Sequence, residues 1–259
     1  MGGQRAAELA ELVRDAGAVV ALTGAGISVP SGIPDFRTPV TGLWANVDPM
    51  QVAHIDVFRE QPQVFWRFYG ERFATLGDRQ PNGAHLALVA MERAGLLDGV
   101  ITQNVDMLHT RAGSTAPVEV HGSIAGCRCP RCGAAVDLQS ARALLAESPD
   151  SVPRCPGCGD VLKPEVVLFG EALPRAALER AVELSRGADL MLCIGSSLEV
   201  HPVAALPRLT LEAGGRVAIV TAGATPYDRE AALRLEGDVE QEMLALAAAL
   251  ALDVPAPVF

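Results

Sequence analysis

Ala18-Val19-Val20-Ala21-Leu22-Thr23-Gly24-Ala25-Gly26-Ile27-Ser28 decides the reading of this chain. Five apolar residues without polar alternation read as a strand buried on both faces, and Thr23-Gly24-Ala25-Gly26 as the turn that ends it. Small residues directly after such a strand let backbone N–H groups approach a pyrophosphate where the next element begins. The glycine fingerprint is incomplete, because Val29 stands where G-x-G-x-x-G would have its third glycine. The turn alone is therefore a weak sign of a dinucleotide site.

Working outward, strand and helix patterns alternate. Residues 4–16, 84–94, 174–187, 202–213, 228–235 and 240–252 read as helices. Residues 99–102, 117–120, 188–194 and 216–220 read as strands. The alternation predicts an α/β fold, a Rossmann-like doubly wound parallel sheet whose ligand sits at the carboxyl ends of the strands. Two stretches break it. Residues 35–79 hold both tryptophans and five of the seven phenylalanines, which predicts a helical insert with its own apolar cluster. Residues 123–163 are rich in Cys, Pro and Gly and poor in periodicity. The sheet domain then comprises 1–34, 80–122 and 164–259, with the insert at 35–79 and a small zinc-ribbon module at 123–163.

Apolar residues make up 49% and aromatics only 4% of the 259 residues, so the core must come from Ala, Val, Leu and Ile, which suits parallel sheet under helices. A net charge of −10 argues against nucleic acid as a partner, since phosphate binding needs a basic face. Lys163 is the single lysine against 20 arginines, which reads as genomic base composition. The longest apolar run, Met243 to Leu252, is too short to cross a bilayer and no apolar signal core opens the chain. A cytoplasmic protein, without a membrane partner and monomeric, is expected.

Five of the six cysteines fall within residues 127–158. In a reducing compartment that crowding favours metal over disulfides. Cys129-Pro130-Arg131-Cys132 is followed after 22 residues by Cys155-Pro156-Gly157-Cys158. Each Cys-x-x-Cys lets two thiolates bind one ion from a tight turn, and two such knuckles complete a tetrahedral zinc site. Four thiolates leave no open position, so one structural zinc per chain is expected. Cys127 lies out of register and Cys193 inside a strand; both are left outside the shell.

Further blocks follow in order: Ser31-Gly32-Ile33-Pro34-Asp35-Phe36-Arg37, Thr102-Gln103-Asn104-Val105-Asp106, His121-Gly122, Lys163-Pro164 through Val167-Leu168-Phe169-Gly170-Glu171, and Gly195-Ser196-Ser197-Leu198. With Gly24 to Ser28 and the cysteine pairs, they resemble the sirtuins over nearly the whole chain. The resemblance implies an NAD-dependent protein-lysine deacylase. NAD would be the co-substrate, and the products nicotinamide, O-acyl-ADP-ribose and free lysine. It assigns the NAD diphosphate and a ribose to Gly24, Ala25, Gly26, Ser28, Gly195, Ser196 and Ser197. Asp35, Phe36 and Arg37 would close over the cofactor, with Trp44 and Gln103 also in its site. Asn104, Val105, Asp106 and Ile33 would line the nicotinamide pocket, although Asp106 by itself reads equally well as a helix N-cap before Met107-Leu108-His109.

His121 and Asn104 are the catalytic candidates that the resemblance implies. The acyl oxygen would attack the nicotinamide ribose, and a ribose hydroxyl would then attack the resulting intermediate. An imidazole with a pKa of about 6.5 suits removal of that hydroxyl's proton near neutrality. Acyl-lysine protein substrates would lie as an added strand between two extended edges, Lys163 to Glu171 and Gly195 to Val200. In the insert, Phe65, Tyr69, Arg72 and Leu76 fall on one helical face. An arginine on an apolar stripe either snorkels to solvent or meets an anion. Tyr69 and Arg72, with Ala53 ahead of them, resemble the sirtuin class that removes succinyl and malonyl groups. Thr221 stands where the family commonly has asparagine, which weakens an expected ribose contact, and Val239 would reach the adenine. The competing readings are mono-ADP-ribosyl transfer and a non-catalytic NAD-sensing zinc-ribbon adaptor.

Overall fold

The computed structural model describes residues 2–35, 42 and 47–255. In chain order the described elements are α1 (Gly2–Asp15), β1 (Val19–Thr23), α2 (Pro49–Val52), α3 (Ile55–Glu60), α4 (Pro62–Leu76), α5 (Gly83–Arg93) and β2 (Gly99–Thr102). They continue with α6 (Leu108–Ala112), β3 (Val118–Glu119), β4 (Gly122–Arg128), β5 (Ala135–Asp137), α7 (Leu138–Glu147), β6 (Lys163–Val166) and α8 (Arg175–Gly187). The last are β7 (Leu190–Ile194), α9 (Leu206–Glu212), β8 (Arg216–Val220), β9 (Leu233–Leu235) and α10 (Val239–Ala249). A 3-10 turn over Ala25–Ser31 follows β1, and a shorter one over Val203–Ala205 precedes α9.

Six strands pair in the order β3-β2-β1-β7-β8-β9, all parallel. This is the doubly wound order in which the chain first builds one side of the sheet, then crosses over and builds the other. β1 and β7 are buried at every residue, as their unbroken apolar runs require. Leu9, Leu88, Met91, Met243 and Leu246 belong to the core on one face, and Ala181, Val203, Leu206 and Tyr227 to that on the other. The direction of chain crossing reverses between β1 and β7, and the crevice opens at their carboxyl ends.

One helix assignment fails. Residues 228–235 contain turns and then β9, which pairs with β8 from Ala218↔Leu233 to Val220↔Leu235. A sheet edge needing a partner outweighed the weak helical spacing of Ala231, Ala232 and Leu235. Asp228 also accepts from Thr225 Oγ1 at 2.7 Å and pairs with Arg234, which holds the chain in a turn. The expected helix at 202–213 is likewise shorter, because the 3-10 turn takes its first part.

The insert and the cysteine-rich segment form a second lobe with a single core. Ile55, Phe58, Phe65, Trp66 and Phe73 from α3 and α4 cluster with Ile124, Val136, Ala141, Val152 and Leu162. Trp66 Nε1 donates to Leu162 O at 3.1 Å across the join. The segment poor in periodicity contains a three-stranded antiparallel sheet, β5-β4-β6, and α7, whose N-cap Asp137 accepts from Ser140 N at 2.9 Å. Among the described residues no helix is long and apolar enough to cross a membrane.

Candidate functional site

The crevice begins where two loops touch. Gly24 N donates to Ile194 O at 3.0 Å and Gly26 N to Gly195 O at 2.8 Å. A Cβ on Gly26 would lie 2.8 Å from Gly195, and one on Gly195, at φ +61°, would lie 2.3 Å from Ile27 N. Only glycine permits that approach. A cavity of about 1040 Å³ runs from these loops into the second lobe. Thr221 and Val239 stand at one end, Gly24, Ala25, Gly26, Gly195, Ser196 and Ser197 along the middle, and Asp35, Gln103, Asn104, Val105 and His121 also line it. In the second lobe Ala53, Tyr69, Arg72 and Val167 to Glu171 line the wall, as does Val200.

Three expected cofactor residues lie behind that wall. Ser28 is fully buried, and Ile33 and Asp106 are nearly so. Ser28 Oγ donates to Asp106 Oδ2 at 2.7 Å and accepts from Asn104 Nδ2 at 3.1 Å. Asn104 Nδ2 also donates to Gly24 O at 3.1 Å, and Asp106 Oδ1 accepts from Leu108 N at 2.9 Å. Asp106, one residue ahead of the N-cap position Met107, thus accepts from the first amide of α6 and joins a buried polar network that orients Asn104. Burial raises its carboxyl pKa, against which the bonds from Leu108 and Ser28 act. Phe36, Arg37 and Trp44 fall outside the described residues.

His121 lies at the seam between β3 and β4, hence between the two sheets. Its Nδ1 is 2.9 Å from Gln103 O, and because a carbonyl only accepts, Nδ1 carries the proton. Nε2 is then the basic nitrogen. Burial lowers the imidazole pKa, while the bond to Gln103 raises it, so the ring is neutral near pH 7. A neutral, oriented imidazole on a cavity wall can take a proton.

The substrate-side edges differ from expectation. Only Lys163–Val166 is strand. Beyond it Phe169 forms an isolated parallel bridge with His54, and the chain turns over 168–171, where Glu171 N donates to Leu168 O at 3.0 Å and Gly170 has φ +85°. Gly195 to Val200 is bent, with Leu198 at φ +54°. The extended pairing is diverted to the second lobe, where Phe169 N donates to Ala53 O at 3.1 Å and Ile55 N to Phe169 O at 2.9 Å. Tyr69 stacks on Phe65 with ring centroids 4.5 Å apart, and Arg72 lies over the Phe68 ring at 5.7 Å. Burial pushes the Tyr69 hydroxyl up to about 12, so it stays a donor. Phe68 was missed by the sequence reading, although an aromatic four residues before an arginine on a helix is the spacing that allows the contact. Val29 and Phe169, both exposed, are among the large apolar residues lining the cavity.

The four cysteines converge. Every pair of Sγ atoms lies within 4.8 Å, with Cys129–Cys158 at 3.4 Å and Cys132–Cys155 at 3.6 Å. Zinc–sulfur bonds of about 2.3 Å at tetrahedral angles would set sulfurs about 3.8 Å apart, so the set fits zinc. Gly133 N closes one knuckle on Cys129 O and Gly159 N the other on Cys155 O, at 2.9 and 2.8 Å. Cys127 points into the lobe's core, where burial pushes its thiol up to about 12, and Cys193 is buried within β7.

A doubly wound sheet with a glycine-lined crevice, a histidine at its seam and a four-cysteine module defines a class of nucleotide-binding enzyme. The Sir2 family model matches residues 24–202. The chain is 45% identical over 227 residues to an NAD-dependent protein deacetylase of Caldivirga maquilingensis, covering 88% of this chain and 85% of that one. To an NAD-dependent protein deacetylase of Thermotoga maritima it is 43% identical, covering 90% and 93%. A solved Sir2 complex with a deacetylated p53 peptide and 3'-O-acetyl ADP ribose superposes with a TM-score of 0.90 at 39% identity, over 95% of this chain and 98% of that one. A Sir2 bound to a propionylated peptide gives 0.85 at 39%, covering 93% and 96%. The chain belongs to the Sir2 family.

Proposed function

We propose that the protein removes acyl groups bearing a carboxylate, succinyl and malonyl, from lysine side chains of other proteins, as well as acetyl groups. As a member of the Sir2 family the protein is an NAD-dependent protein deacylase. The observation that carries the finer reading is Arg72 in the cavity wall beside Tyr69. Its guanidinium is largely buried, and burial lowers its pKa from the usual arginine value. Guanidinium stays charged in such a place and offers a carboxylate paired donors, to which Tyr69 adds a hydroxyl. Ala53, almost fully buried, leaves volume beside them.

The remaining roles follow from position. NAD would supply the electrophilic ribose carbon, from which nicotinamide leaves, and would take up the acyl group. The Gly24–Gly26 turn and the Gly195–Ser197 loop would hold its diphosphate, and Asn104, kept in place by Ser28, would face the nicotinamide ribose. His121 Nε2 would take the proton from a ribose hydroxyl as that oxygen attacks the acyl carbon, and water would then release free lysine and O-acyl-ADP-ribose. Acyl-lysine peptides would enter between Val167–Glu171 and Gly195–Val200. None of the four clustered cysteines lines the cavity, so a zinc held by them would serve the fold.

Arg72→Met tests the carboxylate reading. Removing a charge-assisted hydrogen bond costs about 1.5–3 kcal/mol, so kcat/KM for a succinyl-lysine peptide should fall about ten- to a hundredfold. Deacetylation should change little. Equal losses on both substrates, or a wild type inert toward succinyl- and malonyl-lysine, would refute the proposal.

A further inference from the structure

Lys163 is the single lysine of the chain, which elsewhere uses arginine for every cationic side chain other than histidine. It opens β6, and its ammonium meets three acceptors: Val166 O at 2.8 Å, Glu171 Oε2 at 2.9 Å and Pro164 O at 3.3 Å. One nitrogen with three divergent protons can serve three converging acceptors, whereas the flat guanidinium fork cannot place all its bonds on one point. The pair is well shielded, with side-chain exposures of 18% for Lys163 and 27% for Glu171. Glu171 Oε2 in turn accepts from Leu168 N at 2.9 Å.

These bonds close a bracket around residues 166–171. Within it, Val167 N donates to His121 O at 2.8 Å, and Phe169 pairs with Ala53 and Ile55. The bracketed turn thus spans the interval between the histidine at the seam and the wall that holds Tyr69 and Arg72. Glu171 is close enough to Tyr69 for its charge to oppose ionisation of that phenol. Lys163 does not line the cavity, so it can act only through the turn and through Glu171.

We infer that Lys163 is a positioning residue of the acyl-lysine site: it sets the 166–171 turn for the incoming peptide and neutralises Glu171 beside the acyl pocket. The inference rests on the proposed entry of acyl-lysine peptides along this turn. Loss of the ammonium frees the turn and leaves a bare carboxylate where an acyl group must settle. Peptide capture then weakens while the NAD crevice, built on β1 and β7, is untouched. An acyl group that is itself anionic suffers most.

The test is steady-state kinetics of the full-length protein with acetyl- and succinyl-lysine peptides and NAD. Lys163→Met should raise KM for the acetyl peptide about tenfold, the scale of one lost charge-assisted bond, with KM for NAD and zinc content unchanged. Lys163→Arg should recover part of that loss, since charge returns but one-point bonding does not. Glu171→Gln combined with Lys163→Met should be no worse than Lys163→Met alone, because the two act as a unit. An unchanged peptide KM, an equal rise in both KM values, or additive losses in the double variant would overturn the inference. Should the wild type prove inert on succinyl-lysine, only the carboxylate-acyl reading falls, and the acetyl-peptide arm still decides the role of Lys163.

Discussion

The two lobes reach a stable core by different routes. In the sheet lobe, β7 is apolar throughout and β1 up to its last residue, Thr23, and helices from both ends of the chain cover them. Each element announces itself by its own periodicity. In the second lobe no contiguous stretch could bury its apolar residues alone. α4 contributes Phe65, Trp66 and Phe73, and the cysteine-rich segment contributes Ile124, Val152 and Leu162 to the same cluster. Cys129 and Cys155, two of the four clustered cysteines, are themselves members of that core. A zinc bound there would hold together more than its own knuckles, because the helix carrying Tyr69 and Arg72 packs on the same core.

The largest effect should follow from breaking that joint. Structural zinc contributes about 10–16 kcal/mol of apparent folding energy in small modules. Chelation, or Cys155→Ser, should abolish deacylation and loosen α4 and α7 while the parallel sheet stays folded. Hydrogen exchange should then show protection lost in residues 55–76 and 124–162 and kept in β1, β7 and β8. Uniform loss across both lobes, or full activity without metal, would contradict the division.

Next in size is a change at the seam. His121→Ala should lower kcat about 10²–10⁴-fold, the usual worth of a general base, with NAD affinity by calorimetry preserved. A variant retaining more than a tenth of the wild-type rate would remove His121 from the chemistry. The pH profile adds a second check. A base at His121 needs the neutral ring, whose pKa burial lowers, so the acid limb should lie below the ordinary histidine value of about 6.5.

The smallest effect probes the sheet lobe alone. His109, in α6, is kept neutral by burial, with its pKa lowered to about 4, and His85, 4.9 Å away ring to ring, is lowered for the same reason. The unfolded chain binds a proton at His109 below about pH 6.5 and the folded chain does not until about 4. Stability is therefore full above pH 6.5 and falls as pH drops through that window, by about 1.4 kcal/mol per unit for such a group. Denaturant titrations of His109→Gln should show a shallower slope over pH 4–6.5 than the wild type. An identical slope would mean that His109 is protonated in the fold.

Chain-local signals account for what could be read and what could not. The β1 run, the knuckle spacing and the blocks around Asn104 and His121 are contiguous, so they survive as patterns in one dimension. Residues 228–235 were misassigned because a short apolar run does not distinguish an edge strand from a helix until β8 offers it a partner. Asp106 looked like either a cap or a ligand; Ser28, 78 residues away, makes it a member of a buried network as well.

By itself the sequence determined the class of sheet, the four cysteines that cluster, the family and the stripe bearing Tyr69 and Arg72. The sheet class and the stripe follow from residue spacing within single elements, the cysteines from two tight turns, and the family from blocks of contiguous residues along the chain. Only the tertiary structure decided that the insert and the zinc segment share a core, joined by a bond from Trp66 to Leu162 across 96 residues. It alone brought Lys163 onto Glu171 and turned residues 167–171 toward Ala53. Burial and hydrogen-bond satisfaction select such contacts over the whole folded chain, and a choice made between distant segments leaves no period in either of them.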